Sequence, residues 1–334
     1  MKKILKLLSL FLLGTFVFPT VNFAGTENNI GFSIQAEIPD NQIDKKQSFF
    51  DLRMAPSQEQ ELGVQIINSS DVKSKFKVSV NQAYTNSSGF IDYAKSDVKK
   101  DSSLIYDISD IATYEPTIEV EANSSTTFPI KLKMPKEKYD GSIMAGIQVV
   151  KENENENKGI TNKYGYILGL KLTETDVEIK RTLNLLSVKP AVSFSRTSVV
   201  AEIQNPTMDA FGHLKYSAKV TNKETGKIEK EVSYDENMQM APNSVYDFAI
   251  DWDDKALVAG QYTLDLIVSD AKGNEWKFNK DFLITKKDAQ EINLVTVDKT
   301  KEKEKIPVWL IILVLLIILL SLSIYISKKY RKSA

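Results

Sequence analysis

The stretch FIDYAKSDVKKDSSLIYDISD, residues 90–110, sets five aspartates and three lysines among a few apolar side chains. Residues of these types could bind calcium, catalyse through paired carboxylates, form a binding surface, or simply face solvent. An EF-hand calcium loop needs oxygen ligands at its first, third and fifth positions, a glycine at the sixth and a glutamate at the twelfth. Counting from Asp101 puts Ser103, Ile105 and Tyr106 at the third, fifth and sixth positions, and counting from Asp107 puts Ser109, Ile111 and Ala112 there. Neither frame fits, and Lys95, Lys99 and Lys100 would repel a cation. A looser site built from Asp107 and Asp110 stays open as an alternative; no metal-ligand set is assigned.

The rest of the chain offers little for catalysis. It has no cysteine and one histidine, His213, which excludes Cys-His catalysis and multi-histidine metal sites. In FGHLKYSAKV the alternating set is Leu214, Tyr216, Ala218 and Val220, so His213 falls on the polar face of a strand. No G-x-S-x-G turn accompanies it, and there is no glycine-rich phosphate loop. Acids are plentiful, and Asp251, Asp253 and Asp254 cluster around Trp252 at the end of a strand. A glycosidase needs two carboxylates facing a cleft, one of them buried enough to raise its pKa, and acids at strand ends are usually solvated. The sequence therefore reads as no enzyme, with no catalytic residue and no cofactor; a carboxylate hydrolase is the lowest-ranked alternative.

The ends bound the location. Lys2 and Lys3 precede the apolar run ILKLLSLFLLGTFVF, an export signal over residues 1–24 that is removed on secretion. Residues 306–326 hold no charge, and KKYRK follows them. This predicts a transmembrane helix with a basic cytoplasmic tail at 327–334. The expected location is the cell membrane, single-pass, with the N-terminus outside and the ectodomain in the cell wall. Setting aside the three lysines of the signal and the four basic residues of the tail leaves 36 Lys and Arg against 44 Asp and Glu. That acidic balance argues against a nucleic-acid partner. Without cysteine, packed cores rather than covalent staples must supply stability.

Period-two alternation dominates the exported part. Phe32, Ile34, Ala36 and Ile38 share a face, as do Phe50, Leu52 and Met54, then Leu62, Val64 and Ile66, then Phe76, Val78 and Val80. Ile118 with Val120, Phe128 through Met134 and Ile143 through Val149 continue the series, giving seven short strands of a β-sandwich. The polar run KENENENK, 151–158, reads as a hairpin tip or an interdomain loop. A second series runs from Tyr166 to Phe282. Within it, LVAGQYTL resembles the tyrosine corner of immunoglobulin-like sandwiches. The predicted fold is all-β: two tandem immunoglobulin-like sandwiches, 31–157 and 158–285, a charged extended stalk at 286–305, and the transmembrane helix.

Three blocks carry a family resemblance: NNIGFSIQAEIPDNQIDKKQSFFDLRMAPSQEQELGVQIIN, then GFIDYAKSDVKKDSSLIYDISD, then PIKLKMPKEKYDGSIMAGIQV. They resemble the peptidoglycan-binding domain of the WxL-interacting proteins. TNKYGYILGLKLTET, VVAEIQNPT, MQMAPNSVYDFAIDW and LVAGQYTLDL resemble the same family's host-binding domain. The resemblance implies a non-catalytic, membrane-anchored surface scaffold of Gram-positive bacteria that binds peptidoglycan and WxL-domain proteins. It also implies contact with host extracellular matrix through the second domain, and an adhesin acting mainly on that matrix is the alternative. Peptidoglycan offers sugars and short peptides, which suit aromatic rings beside hydrogen-bonding side chains. Within the matching blocks the expected ligand-binding residues are Asp92, Tyr93, Lys95, Asp101, Tyr106, Tyr139 and Asp140. Alternation stops at Ile91 and resumes at Ile118, so the opening stretch reads as an insertion, pinned by Leu104, Ile105 and Ile108, that acts as a recognition loop.

Overall fold

The computed structural model describes residues 30–152 and 164–301. Two packed cores account for them. In the first, β1 (Phe32–Glu37), β3 (Glu59–Asn68), β9 (Ser124–Lys133) and β7 (Ala112–Thr113) form one sheet. Facing it are β2 (Phe50–Arg53), β11 (Gly165–Thr173), β10 (Ser142–Lys151), β4 (Ser74–Gln82) and β8 (Thr117–Val120). Alternation fixes which face each strand buries. Leu62, Val64 and Ile66 of β3 are buried, as are Phe76 and Val78 of β4, while their neighbours face outward.

The expected domain boundary at 157/158 falls inside this sandwich. Strand β11 pairs antiparallel with β10 and parallel with β2, and its Leu170 and Leu172 are buried in the first core. The polar run after Val150 thus links the two strands of a hairpin whose tip lies outside the described residues. The second core begins at Leu183. Its sheets are β12 (Asn184–Ser193), β13 (Arg196–Asn205) and β16 (Ser244–Asp251), against β15 (Ile228–Met240), β14 (Phe211–Asn222), β17 (Gly260–Ser269) and β18 (Glu275–Ile284). At the corner before β17, the buried Tyr262 donates its hydroxyl proton to the Val258 carbonyl at 2.9 Å.

Residues 286–305 are expected as an extended stalk, but Lys286–Lys301 is a helix. Thr285 and Asp288 cap it reciprocally: the Asp288 N–H donates to Thr285 Oγ1 at 3.0 Å, and the Thr285 N–H to Asp288 Oδ2 at 3.2 Å. Ala289 is buried against the second core, and Asn293 Nδ2 donates to the Leu257 carbonyl while its Oδ1 accepts the Leu257 N–H. The segment therefore packs on the second sandwich through Ala289, Ile292 and Asn293.

The predicted membrane span has no counterpart among the described residues. Among the described residues no helix is long and apolar enough to cross a membrane. The helix that follows the second sandwich carries Lys286, Lys287, Asp288 and Glu291 in its first turns, charges that a hydrocarbon core would not admit. The transmembrane part of the fold class and the single-pass location are corrected accordingly. Residues 306–326, the signal at 1–24 and the tail at 327–334 lie outside the described residues.

Arg181 ties the connection between the cores to the second sandwich. Its guanidinium donates to Asp209 Oδ2 at 2.9 Å and Asp270 Oδ2 at 2.7 Å, and lies over the Phe211 ring at 4.9 Å. The Asp270 side chain is fully buried, so removing its cation strands a charge in low dielectric. Arg181→Ala should lower stability by about 3 kcal/mol, read as a shifted midpoint of urea unfolding; an unchanged midpoint would show that the ion pair is dispensable.

Candidate functional site

The segment between β4 and β8 is a chain of local hydrogen-bonded devices. Strands β5 (Tyr84–Thr85) and β6 (Ile91–Asp92) form a short hairpin. In its turn Asn86 Oδ1 accepts from the Ser88 N–H at 3.0 Å and the Phe90 N–H at 3.1 Å, and Gly89 sits at φ +76°. After the hairpin, Asp92 Oδ1 accepts from the Tyr93 and Ala94 N–H groups. Asp107 caps the single helical turn α1 (Ile108–Ile111) by accepting from the Ser109 N–H at 2.9 Å. Ile108 and Ile111 are buried in the first core; Leu104 is half-buried, and Ile105 is 69% exposed and pins nothing.

The far side of this segment meets the second sandwich. The Ala241 N–H donates to Thr85 Oγ1 at 3.0 Å, Thr85 Oγ1 lies 2.7 Å from Ser244 Oγ, and the Ser244 hydroxyl donates to the Ala241 carbonyl at 2.8 Å. All three contacts are buried, and they close a cycle that leaves no hydroxyl unpaired. Gln204 Nε2 donates to both carboxylate oxygens of Asp101 at 2.9 and 3.0 Å, and Asn243 Nδ2 donates to the Ser103 carbonyl at 2.9 Å. The Gln239 N–H donates to the Gly89 carbonyl at 2.7 Å. What reads in sequence as a free recognition loop is largely an interface between the two sandwiches.

Beside these contacts lies an open cleft of about 1030 Å³. Tyr84, Asp92, Lys95, Asp97 and Lys99 line one wall; Leu186, Glu202, Val245 and Asp247 line the other. Burial and the neighbouring Asp92 push the Tyr84 phenol up to about 12, so it stays a neutral donor. Lys100 is held by Asp107, which leaves Lys95 and Lys99 as the cations of the wall without a partner among the described residues. A ring, hydroxyls and both signs of charge at one opening can hold a polar ligand carrying carboxylates and amines.

The expected ligand residues divide. Asp92, Lys95 and Asp101 line the cleft, although both oxygens of Asp101 are occupied by Gln204 and Ser103. Tyr93 packs on β10, where a Cβ at Gly146 would lie 2.5 Å from its own Cβ. Tyr106 packs against the first core with its ring 5.4 Å from that of Tyr139 and tilted by 46°; Tyr139 is 5% exposed and donates to the Leu172 carbonyl at 3.0 Å. Asp140 accepts from Thr175 Oγ1 at 2.6 Å and does not line the cleft. Asp97 and Lys99, inside the same quoted stretch, and Glu202 and Asp247, contributed by the second sandwich, were missed. The aspartate cluster around Trp252 is tied down. Asp251 pairs with Arg196 at 2.8 Å, and Lys230 holds the exposed Asp253 carboxyl below its usual range, the reverse of what a general acid needs. His213 is exposed at a bulge in β14, with Nδ1 2.9 Å from Asn237 Oδ1.

Two family models match this chain. Residues 32–151 match the WxL Interacting Protein, peptidoglycan binding domain, and residues 155–294 match the WxL Interacting Protein, host binding domain. No curated protein matches. Among solved structures, the Pseudomonas aeruginosa CupB2 chaperone is similar at 12% identity over 67% of this chain and 92% of its own, with a TM-score of 0.26. The E. coli chaperone DraB is similar at 14% identity over 76% of this chain and 98% of its own, with a TM-score of 0.29. At these scores neither likeness carries an argument.

Two variants test the interface. Thr85→Val breaks the buried hydroxyl cycle and should destabilise the protein by about 1–3 kcal/mol in chemical denaturation. Burial acts to raise the Asp101 pKa, but hydrogen bonds from Ser103 and Gln204 outweigh it and hold the carboxyl below its ordinary 3.8. Its stabilisation is therefore complete above that ordinary value and lost as pH falls through the depressed one. Asp101→Asn should flatten the fall in stability below about pH 4; an unchanged slope there would remove Asp101 from the account.

Proposed function

The chain belongs to the WxL-interacting proteins, and from that premise we propose that it is a non-catalytic scaffold joining peptidoglycan to WxL-domain proteins at the cell surface. Its peptidoglycan-binding and host-binding domains make it a cell-surface binding protein. The observation that carries the finer reading is the cleft, where Tyr84, Lys95 and Lys99 stand opposite Glu202 and Asp247. Peptidoglycan stem peptides present carboxylates to the lysines, and its sugars present apolar faces and hydroxyls to the tyrosine. The devices already occupied, Asp101 and Asp107 among them, hold the wall in place rather than touch ligand. The host-binding description of residues 155–294 supports a second ligand, host extracellular matrix, on the other half of the chain.

The full chain should be retained on purified sacculi and should capture a purified WxL domain; failure of both would overturn the proposal. Lys95→Glu with Lys99→Glu should weaken sacculus binding about tenfold with unchanged thermal unfolding, because both side chains are solvent-facing. Equal retention by this variant would move peptidoglycan binding away from the cleft. Retention on collagen or fibronectin in place of sacculi would favour the adhesin reading.

A further inference from the structure

The second sandwich is open along one side. Strand β16 pairs only with β13, and β15 ends the facing sheet, so two edge strands flank a gap. The upper part of that gap is filled by the β5–β6 hairpin, through the Gln239–Gly89 bond and the packing of Gly89 on Met238 and Tyr246. Below the hairpin an apolar cavity of about 300 Å³ remains, lined by Phe90, Phe194, Tyr234, Met238, Tyr246 and Phe248.

The free edge of β16 follows from its register. The Trp252 N–H bonds to the Thr197 carbonyl at 2.9 Å. Antiparallel alternation then turns the N–H and C=O groups of Tyr246, Phe248 and Ile250 toward β13, and those of Val245, Asp247 and Ala249 outward. Among the described residues the outward N–H groups have no backbone partner. Val245 and Asp247 line the interdomain cleft, Ala249 lines the apolar cavity, and Ser87 and Ser88 line both. One edge therefore runs from a polar opening into an aromatic pocket. By contrast, the other edge of that sheet, β12, carries Pro190, which has no N–H to offer.

Phe194 adds an independent observation. Phe194 and Ser195 sit at φ +49° and +63° in the β12–β13 turn, where asparagine and glycine are the usual residues. A bulky side chain there is strained, yet Phe194 is 66% exposed and lines the pocket mouth. Among the described residues no ring contact holds Phe194; a ligand for the ring would.

We propose that the free edge of β16 and the aromatic pocket below the hairpin form a docking groove for an extended peptide segment of a partner protein. The segment adds as a strand and inserts one aromatic side chain. Continuity with an existing interface supports this occupant, since the same gap already accepts another part of this chain, the β5–β6 turn, through the main-chain bond from the Gln239 N–H to the Gly89 carbonyl. Charge supports it too. At the pocket end Arg196 is paired with Asp251 and Asp254, so the inserted portion is uncharged. The groove shares Val245 and Asp247 with the cleft, but it is tested by peptide binding alone, so its failure would leave the sacculus-retention test of the cleft standing.

The test uses the full chain and a blocked heptapeptide of alternating threonine and valine with a central phenylalanine. The peptide should bind and slow amide hydrogen exchange at Asp247 and Ala249. Replacing its phenylalanine by alanine should weaken it at least about 30-fold, and N-methylating alternate amides should weaken it about tenfold or more. Ala249→Pro removes one outward N–H without touching the inner ladder and should abolish exchange protection. Phe194→Gly relieves the turn and should lower affinity while raising, not lowering, thermal stability. No binding up to roughly 1 mM peptide, equal binding of the N-methylated peptide, or binding unchanged in both variants would overturn the proposal. So would concentration-dependent dimerisation abolished by Ala249→Pro, which would identify a second copy of the chain as the occupant.

Discussion

The buried hydroxyl cycle of Thr85, Ser244 and Ala241 is the contact on which the remaining arrangement depends. Each of these groups is out of reach of water, and an unpaired buried hydroxyl or N–H is costly, so the cycle is satisfied only in one relative placement of hairpin and β16. That placement carries the turn at Gly89 onto Met238, sets Asp101 opposite Gln204, and brings Ser103 to Asn243. The cleft beside it exists because two walls from distant parts of the chain are held at that spacing. Apolar packing alone would tolerate sliding; directional hydrogen bonds do not.

A chain without cysteine has to reach this through packing and polar pairing. Each sandwich buries its own apolar set, with Phe50, Phe76 and Ile130 in one and Tyr216, Phe248 and Leu264 in the other. Between them the chemistry changes character. The connection is fixed by Arg181 between two carboxylates and an aromatic ring, and the interface by amides and hydroxyls. Glycine at 89 is favoured by its positive φ, and a Cβ there would displace the end of the Met238 side chain, whose Cε it would meet at 2.3 Å.

Much of the strand pattern was legible because the buried residues alternate strictly, as in β3, β4, β9 and β17. Strand β15 was not read at all. Its sequence IEKEVSYDENMQM lies at a sheet edge, and only Met238 and Met240 of its apolar residues are buried, so little periodicity reaches the sequence. Strand β11 was read as a strand but assigned to the wrong sandwich, because pairing partners are not encoded in alternation; its parallel bond with β2 joins residues more than a hundred positions apart. The terminal helix was hidden by its charges, which serve a solvent face while Ala289 and Ile292 reach the core. At the site, the quoted aspartates and lysines pointed to the right segment and to the wrong roles. Asp101 is held by its neighbour Ser103 and by Gln204, whereas Asp97 lines the cleft; the cross-domain partner that separates their roles lies in a strand a hundred residues later.

The unequal treatment of the two edges in the second sandwich's smaller sheet follows the same logic. Exposed edges invite pairing with other chains, and proteins blunt them with proline, charge or cover. Strand β12 is blunted by Pro190, and Lys280 donates to the Leu186 carbonyl at 2.8 Å at its bulge. Strand β16 is covered for part of its length by a hairpin borrowed from the neighbouring sandwich, and the charges on its outer face are Asp247 and Asp251. Those carboxylates discourage a flat apolar strand from stacking on the sheet, but they leave the outward amides free. A fold that closes one edge with proline and leaves the other open above an aromatic pocket separates unspecific pairing from pairing that brings its own aromatic anchor.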